Sequence, residues 1–462
     1  MKRLVVVSNR VADLTKTSQS GGLAVGLADS LKSRGGLWLG WDGSRLNSDE
    51  PPEPAVKTIG EITQATLPLT EDDYAEYYLG FSNSVLWPLF HYRLDLVEYR
   101  SSYMEGYRRV NAKFADALLP LLRPDDIVWV HDYHLLPLAA ELRHRGCKQR
   151  MGFFLHIPFP PPEILTAVPR HRRLIEDLLQ FDLVGLQTDT DLANLHRYVE
   201  EYLKDRVDDD GTVHHGERRA MIDSFPIGID VDAFAEMAEE PNDAVQIETM
   251  RRAILGRKQI IGVDRLDYTK GLPDRLKAFS RLLELYPEMR KSVTLMQIAT
   301  PTREDVEAYT EIRSELEALS GKINGRFADF NWTPVHYIHG AVPREALAAL
   351  FRSSQVGFVT PLRDGMNLVA KEYVAAQDPN DPGVLVLSKF AGAAEDLHEA
   401  LIVNPYDIDD MAKSLCRALT MPLEERKERQ DALMKRIRQH DARAWADSFI
   451  EALERCPASP AD

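Results

Sequence analysis

The chain has 462 residues, more than one hydrophobic core usually serves, so two domains are expected. Hydrophobic residues make up 44% and charged residues 28%, which excludes the disordered, fibrous and membrane-embedded classes. A formal charge of −16, from 56 Lys and Arg against 72 Asp and Glu, excludes a broad nucleic-acid surface and obliges any phosphate site to gather its cations locally.

In chain order the first element is a strand at Leu4–Ser8. Its apolar run follows Lys2-Arg3 and is too short for a signal-peptide core or a bilayer span, and no later stretch reaches membrane length. A cytoplasmic protein without membrane association is therefore expected. After this strand come the polar Ser8-Asn9-Arg10 and then Gly21-Gly22, opening a helix whose bare backbone N–H groups suit a phosphate or sugar. Taken alone, that pair is equally a structural turn. Tyr77-Tyr78 and Asn83 to Pro88, with Trp87, form an aromatic segment lacking a helical period, suited to core, interface or sugar stacking.

A helix at Asn111–Leu122 leads to a strand at Ile127–His131, which delivers Asp132, Tyr133 and His134. A helix at Leu135–Arg145 and a strand at Gly152–His156 follow, the latter running into a proline-stiffened loop that holds His156. His131 and His134 have no third ligand at zinc spacing, so hydrogen bonding is the expected role and no metal is expected. Cys147, Cys416 and Cys456 are too scattered for a disulfide framework or a zinc site and read as free thiols. A strand at Val184–Gln187 precedes a charged hairpin or loop at Asp208–Gly216, and Phe225–Asp230 reads as a strand leaving the first domain.

A second alternating series has strands at Gln259–Val263, Ser292–Ile298, Val335–Ile338, Val356–Thr360, Gly383–Leu387 and Leu401–Val403. Helices are expected at Leu272–Leu285, Glu304–Leu319 and Leu368–Ala376. Alternation of this kind is the signature of parallel sheets covered by helices. It predicts an α/β protein of two doubly wound domains facing across a cleft, with ligands beyond the carboxyl ends of the strands. The first strand of this series ends in Asp264 to Gly271, placing Arg265 and Lys270 beside a helix start, a clamp for a departing diphosphate. After Thr360, Asp364 and Asn367 sit near a helix cap. Asp364 suits sugar hydroxyls, the Asn367, Leu368 and Val369 amides suit a phosphate, and Glu372 suits the two hydroxyls of a ribose. Arg303 adds a cation beyond the strand that ends near Ile298.

Four strings carry a resemblance: Gly35-Gly-Leu-Trp-Leu-Gly-Trp41, Trp129-Val-His-Asp-Tyr-His134, Phe154-Leu-His-Ile-Pro-Phe159 and Thr360-Pro-Leu-Arg-Asp-Gly-Met-Asn-Leu-Val-Ala-Lys-Glu372. With Val5 to Arg10 and Leu401 to Tyr406, they make the chain resemble the trehalose-6-phosphate synthases, glycosyltransferase family 20, over nearly its whole length. The resemblance implies a GT-B fold of two Rossmann-like domains. The first, residues 1–228, takes the acceptor and the second, 229–440, the nucleotide sugar, while a segment 441–462 returns as a helix (Ala442–Leu453) to the first.

The same resemblance implies a retaining transfer from a nucleotide-glucose to glucose 6-phosphate; no carboxylate pair stands out for a two-step covalent mechanism, so a front-face route is expected. His156, Arg265, Lys270 and Asp364 are implied as catalytic. Gly21, Gly22, Val342, Asn367, Leu368, Val369, Ala370, Lys371 and Glu372 are implied on the donor, with Arg265 and Lys270. Arg10, Tyr78, Trp87, Asp132 and Arg303 are implied on the acceptor, the two arginines facing its phosphate. Val342 stands where some relatives carry Phe, so UDP-, GDP- and ADP-glucose all stay open as donors, with UDP-glucose favoured by family habit. No cofactor is required, and a homo-oligomer is expected. A synthase with another acceptor (glycerol 3-phosphate, or a pseudo-sugar), a sugar-nucleotide epimerase and a non-catalytic sugar-phosphate sensor are the competing readings.

Overall fold

The computed structural model describes residues 2–11, 31, 36–46, 54–239, 256–302 and 307–456. The chain divides into two compact units, Met1–Pro226 with Arg443–Asp462, and Ile227–Ala442. Among the described residues no helix is long and apolar enough to cross a membrane, and the three cysteines carry free thiols.

The sheet of the first unit is built from β1 (Leu4–Arg10), β2 (Gly36–Leu46), β3 (Ala55–Ile59), β4 (Ile62–Thr70), β5 (Ile127–His131), β6 (Arg150–Phe154), β7 (Leu183–Leu186), β8 (Arg206–Val207), β9 (Thr212–His215) and β10 (Arg218–Ser224). Their order is β3-β4-β2-β1-β5-β6-β7-β10-β9-β8. The run from β4 to β10 is parallel, and an antiparallel hairpin lies at each edge. Parallel strands covered on both faces read as unbroken apolar runs, and β5, Ile-Val-Trp-Val-His, is buried at every position. Strand order reverses between β1 and β5, which makes their carboxyl ends the switch point where a ligand is expected.

The helix Ala442–Arg455 packs on this sheet through Trp445, Ala446, Phe449, Ile450 and Leu453, one apolar stripe. Phe449 lies stacked on Trp129, ring centroids 4.7 Å apart. Its seat is made by Gly152 and Gly185, where an added Cβ would stand 2.8 and 2.7 Å from the Phe449 ring.

The second unit holds β11 (Lys258–Arg265), β12 (Val293–Thr300), β13 (Val335–His339), β14 (Val356–Val359), β15 (Val384–Ser388) and β16 (Leu401–Val403), ordered β13-β12-β11-β14-β15-β16 and parallel throughout. This is the Rossmann order, and its switch point lies between β11 and β14.

Two expectations are corrected. Phe225–Asp230 is not a strand: β10 stops at Ser224, because Pro226 has no N–H to extend the ladder. The first long helix is Ser101–Leu118, ten residues earlier than read, and a tight turn at Leu119–Leu121 containing Pro120 ends it. The aromatic segment forms a π-helix, Tyr74–Leu86, running into a short helix, Trp87–Phe90. The i→i+5 spacing explains the missing 3.6 period. Side chains follow the same spacing, Asn83 Nδ2 donating to the Tyr78 carbonyl at 2.8 Å. The helix expected from Glu304 is described from Glu307 to Phe327.

Candidate active site

In the second unit the loop after β11 is shaped by Asp267, whose Oδ1 accepts from the Thr269 N–H at 2.9 Å while its Oδ2 accepts from the Tyr309 hydroxyl at 3.2 Å. A single turn, Tyr268–Lys270, follows, and Gly271 at φ +63° starts the helix Leu272–Leu285. Any Cβ at Gly271 would lie 2.4 Å from the Thr360 carbonyl oxygen, so the β11 and β14 loops touch there. The Leu362 N–H donates to the Thr269 carbonyl at 2.8 Å and completes the join.

This join brings the sequence-expected residues together. Lys270 is buried, and its Nζ lies 2.5 Å from Asp364 Oδ2. Asn367 Nδ2 donates to the same oxygen at 3.0 Å. Asn367 adopts φ +76° and its Oδ1 caps the helix Leu368–Ala376 by accepting from the Ala370 N–H at 3.2 Å. The Ala370 amide is thus used by the cap, which leaves the first-turn amides of Leu368 and Val369 as the ones aimed out of the helix. Arg265, at the end of β11, is exposed.

Beneath the two loops lies a residue that no local sequence pattern singles out. Arg275, fully buried, pairs with Asp264 Oδ2 at 2.6 Å and donates to Gln297 Oε1 at 3.1 Å and Thr360 Oγ1 at 3.2 Å. Burial pushes the Asp264 carboxyl up, and Arg275 opposes that rise. The guanidinium ties the ends of β11, β12 and β14 to one point.

Glu372 is half-buried, and burial pushes its carboxyl up to about 7, with Arg344 pulling the other way. Val342 lies two residues before Arg344, between β13 and the helix Arg344–Ser353, so its loop neighbours Glu372. The Lys371 side chain is turned inward. Its Nζ is fully buried, donates to the Ile227 carbonyl at 2.9 Å and lies 3.7 Å from Asp396, and burial lowers it to about 8.

In the first unit the ends of β1, β5 and β6 carry the remaining candidates. Ser8 Oγ accepts from the Trp38 indole at 2.8 Å and donates to the Arg10 carbonyl at 2.9 Å, fixing the backbone where Arg10 emerges. The exposed Arg10 guanidinium lies over the Trp41 ring at 5.5 Å. Trp41 meets Tyr78 at 5.5 Å, Tyr78 stacks on His134 at 6.0 Å, His134 contacts Tyr133 at 4.0 Å, and Tyr133 contacts Trp87 at 5.7 Å. One aromatic chain therefore links Arg10, Tyr78 and Trp87. Trp87 itself is buried and forms the backing of this patch. The role of Trp41 escaped the sequence because only the parallel pairing of β1 with β2 sets it beside Arg10.

Asp132 adopts φ +77° and ψ 163°, a conformation costly for any residue but glycine. The strain aims its carboxylate back over the strand ends: Oδ1 accepts from the Tyr133 N–H at 3.1 Å and the His156 N–H at 3.4 Å. Register places His131 opposite Phe154, so His131 and His156 meet, with Nδ1 of the first 3.1 Å from Nε2 of the second. Burial lowers His156 to about 3 and holds His131 well below the usual range, so both rings are neutral. Gly21, Gly22 and Arg303 lie outside the described residues. Among the described residues no group of three His, Cys, Asp or Glu is arranged to hold a metal ion.

Comparison with known proteins accords with this arrangement. The family model for glycosyltransferase family 20 matches residues 2–455. A trehalose-6-phosphate synthase of Enterobacter sp. (strain 638) is 51% identical over 98% of this chain and 96% of its own length. Among solved structures, a UDP-forming α,α-trehalose-phosphate synthase from Burkholderia xenovorans in complex with glucose-6-phosphate is 52% identical, covers 98% of this chain and 100% of its own, and superposes with a TM-score of 0.94. One from E. coli, described as trehalose-6-phosphate bound with UDP-2-fluoro glucose, is 47% identical over 98% of this chain and 99% of its own, also with a TM-score of 0.94. With the whole length matched and both Rossmann sheets reproduced, the chain belongs to glycosyltransferase family 20 and has the GT-B fold.

Proposed function

We propose that this chain transfers glucose from UDP-glucose to D-glucose 6-phosphate, giving α,α-trehalose 6-phosphate and UDP with retention at the donor anomeric carbon, as a step of trehalose biosynthesis. The observation that carries this reading is the joined pair of loops in the second unit. There the buried Lys270 meets Asp364 at 2.5 Å, Asp364 meets Asn367 at 3.0 Å, and Asn367 caps a helix N-terminus at 3.2 Å, with Arg265 at the adjoining strand end. The ligands named for the Burkholderia xenovorans and E. coli structures support the choice of acceptor and donor.

In this reading Arg265 and Lys270 hold the diphosphate and meet its charge as it leaves. The amides of Leu368 and Val369 face a phosphate, Asp364 and Asn367 hold hydroxyls of the transferring glucose, and Glu372 takes the ribose, with Val342 beside the base. Gly21 and Gly22 are assigned to the same donor. Arg10 and Arg303 take the acceptor phosphate, and Tyr78, Trp87 and Asp132 its sugar. His156 donates a hydrogen bond to the transferring glucose. As the bond from the anomeric carbon to the diphosphate oxygen breaks, an acceptor hydroxyl bonds to the same face of that carbon, and its proton passes to the departing diphosphate. The protein orients two substrates and neutralises the leaving group with its own cations.

A coupled assay of glucose 6-phosphate against UDP-, GDP- and ADP-glucose tests this reading, with the product identified by NMR. UDP release and an α,α-linked product are expected. A β-linked product overturns retention, preference for glycerol 3-phosphate overturns the acceptor, and absence of nucleotide release overturns transfer itself.

A further inference from the structure

Behind His156 lies a closed aromatic cluster that the functional reading leaves without a task. His131 is fully buried, and its ring lies 4.5 Å from that of Trp129 and 6.3 Å from that of Trp445, while Trp129 and Trp445 lie 4.9 Å apart. Trp445 reaches this place on the helix Ala442–Arg455. Three buried polar atoms of the cluster meet no hydrogen-bond partner among the described residues: Trp129 Nε1, Trp445 Nε1 and His131 Nε2.

Two neutral imidazoles 3.1 Å apart share one hydrogen bond, and only one of them donates. If His156 donates from Nε2, the proton of His131 sits on its own Nε2. The cluster then encloses three N–H donors, two of them indole, and no acceptor. If His131 donates from Nδ1, its Nε2 is a bare lone pair facing a cluster whose other polar atoms are both donors. Orphaned buried donors are the costlier error, and the second arrangement removes one of them.

We infer that His131 is a positioning residue: it donates from Nδ1 to His156 Nε2 and so fixes His156 in the tautomer that presents Nδ1–H to the ligand. His156 is half-buried, and its Nδ1 is the ring nitrogen not engaged by His131. A histidine locked this way is a hydrogen-bond donor, matched to a sugar oxygen and mismatched to a substrate N–H. This inference rests on the proposed contact of His156 with the transferring glucose only for its kinetic consequence; the tautomer itself stands apart from it.

Nitrogen-15 NMR of the histidine-labelled full-length protein near neutral pH tests the tautomer directly. The proton of His156 is expected on Nδ1, and a proton on Nε2 overturns the inference. For the consequence, His131→Leu should lower kcat about tenfold, the scale of one lost hydrogen bond, with little change in KM for glucose 6-phosphate. His131→Asn, whose amide N–H mimics the Nδ1 donor, should restore most of kcat. Equal rates for the Leu variant and the parent, with the His156 proton unmoved, also overturn it. His156→Ala separates the two ideas: full activity there refutes the sugar contact, while the NMR result continues to decide the tautomer.

Discussion

Lys270 Nζ and Asp364 Oδ2 lie 2.5 Å apart although 94 residues separate them in the chain, so each neutralises the other in the absence of substrate. A diphosphate arriving at Lys270 competes for that ammonium and leaves Asp364 more available to sugar hydroxyls. Replacing Lys270 or Arg265 by Ala is expected to lower kcat about 10²-fold or more. Steady-state kinetics of Lys270→Ala, Asp364→Ala and the double variant should show strong non-additivity, because the residues share one contact. Additive losses would mean that the pair acts as two independent groups.

The backbone at Asp132 gives a second expectation. Its φ of +77° with ψ 163° suits glycine, so Asp132→Gly should be more stable than Asp132→Ala by about 1–3 kcal/mol, although both lack the carboxylate. Thermal denaturation of the two variants checks the order. Both should lose glucose 6-phosphate affinity alike, which separates the strain from the role of the side chain.

Glu372 links pH to stability. Its folded value of about 7 exceeds the ordinary 4.5, so the folded protein holds this proton more tightly than the unfolded chain does. The stabilising contribution is complete below the ordinary value and is lost as pH rises through about 7. Between about pH 5 and about pH 8 the parent should lose Tm relative to Glu372→Gln, which cannot titrate. If ribose hydroxyls are bound by the ionised carboxylate, KM for the donor should fall over the same interval in the parent and stay flat in the variant.

Gly271→Ala tests the joined loops. A methyl group there meets the Thr360 carbonyl at 2.4 Å in a left-handed conformation, so a stability loss of about 1–3 kcal/mol is expected. Displacement of the β14 loop should also separate Lys270 from Asp364 and lower kcat. A variant with normal Tm and normal kcat would show that the join is yielding.

The central parallel strands were legible because burial on both faces leaves an unbroken apolar run, as at Ile127–His131, which forms as read; the edge strand Leu401–Val403 also forms as read, with Ile402 exposed. The helices Leu272–Leu285 and Leu368–Ala376 also form with the expected limits, each announced by a cap or a proline in its first turn. Strand ends then located Arg265, Lys270, Asp364 and Asn367, and the structure brings Lys270, Asp364 and Asn367 into contact. The strand β2 and the π-helix were not legible, since Gly36, Gly40 and Gly43 interrupt the first and the i→i+5 spacing hides the second. Contacts made by register, such as His131 with His156 or Arg10 with Trp41, have no signature in either local segment. Arg275 is invisible for the same reason: a buried guanidinium looks in sequence like any helical arginine.

The helix Ala442–Arg455 covers Trp129, Phe154 and Phe225 of a unit whose other residues end at Pro226. During translation those three rings have no cover until more than two hundred further residues have left the ribosome. The first unit to be synthesised is therefore the last to be finished. A stalled or prematurely terminated chain presents an open aromatic face, a ready target for holdase chaperones and proteases.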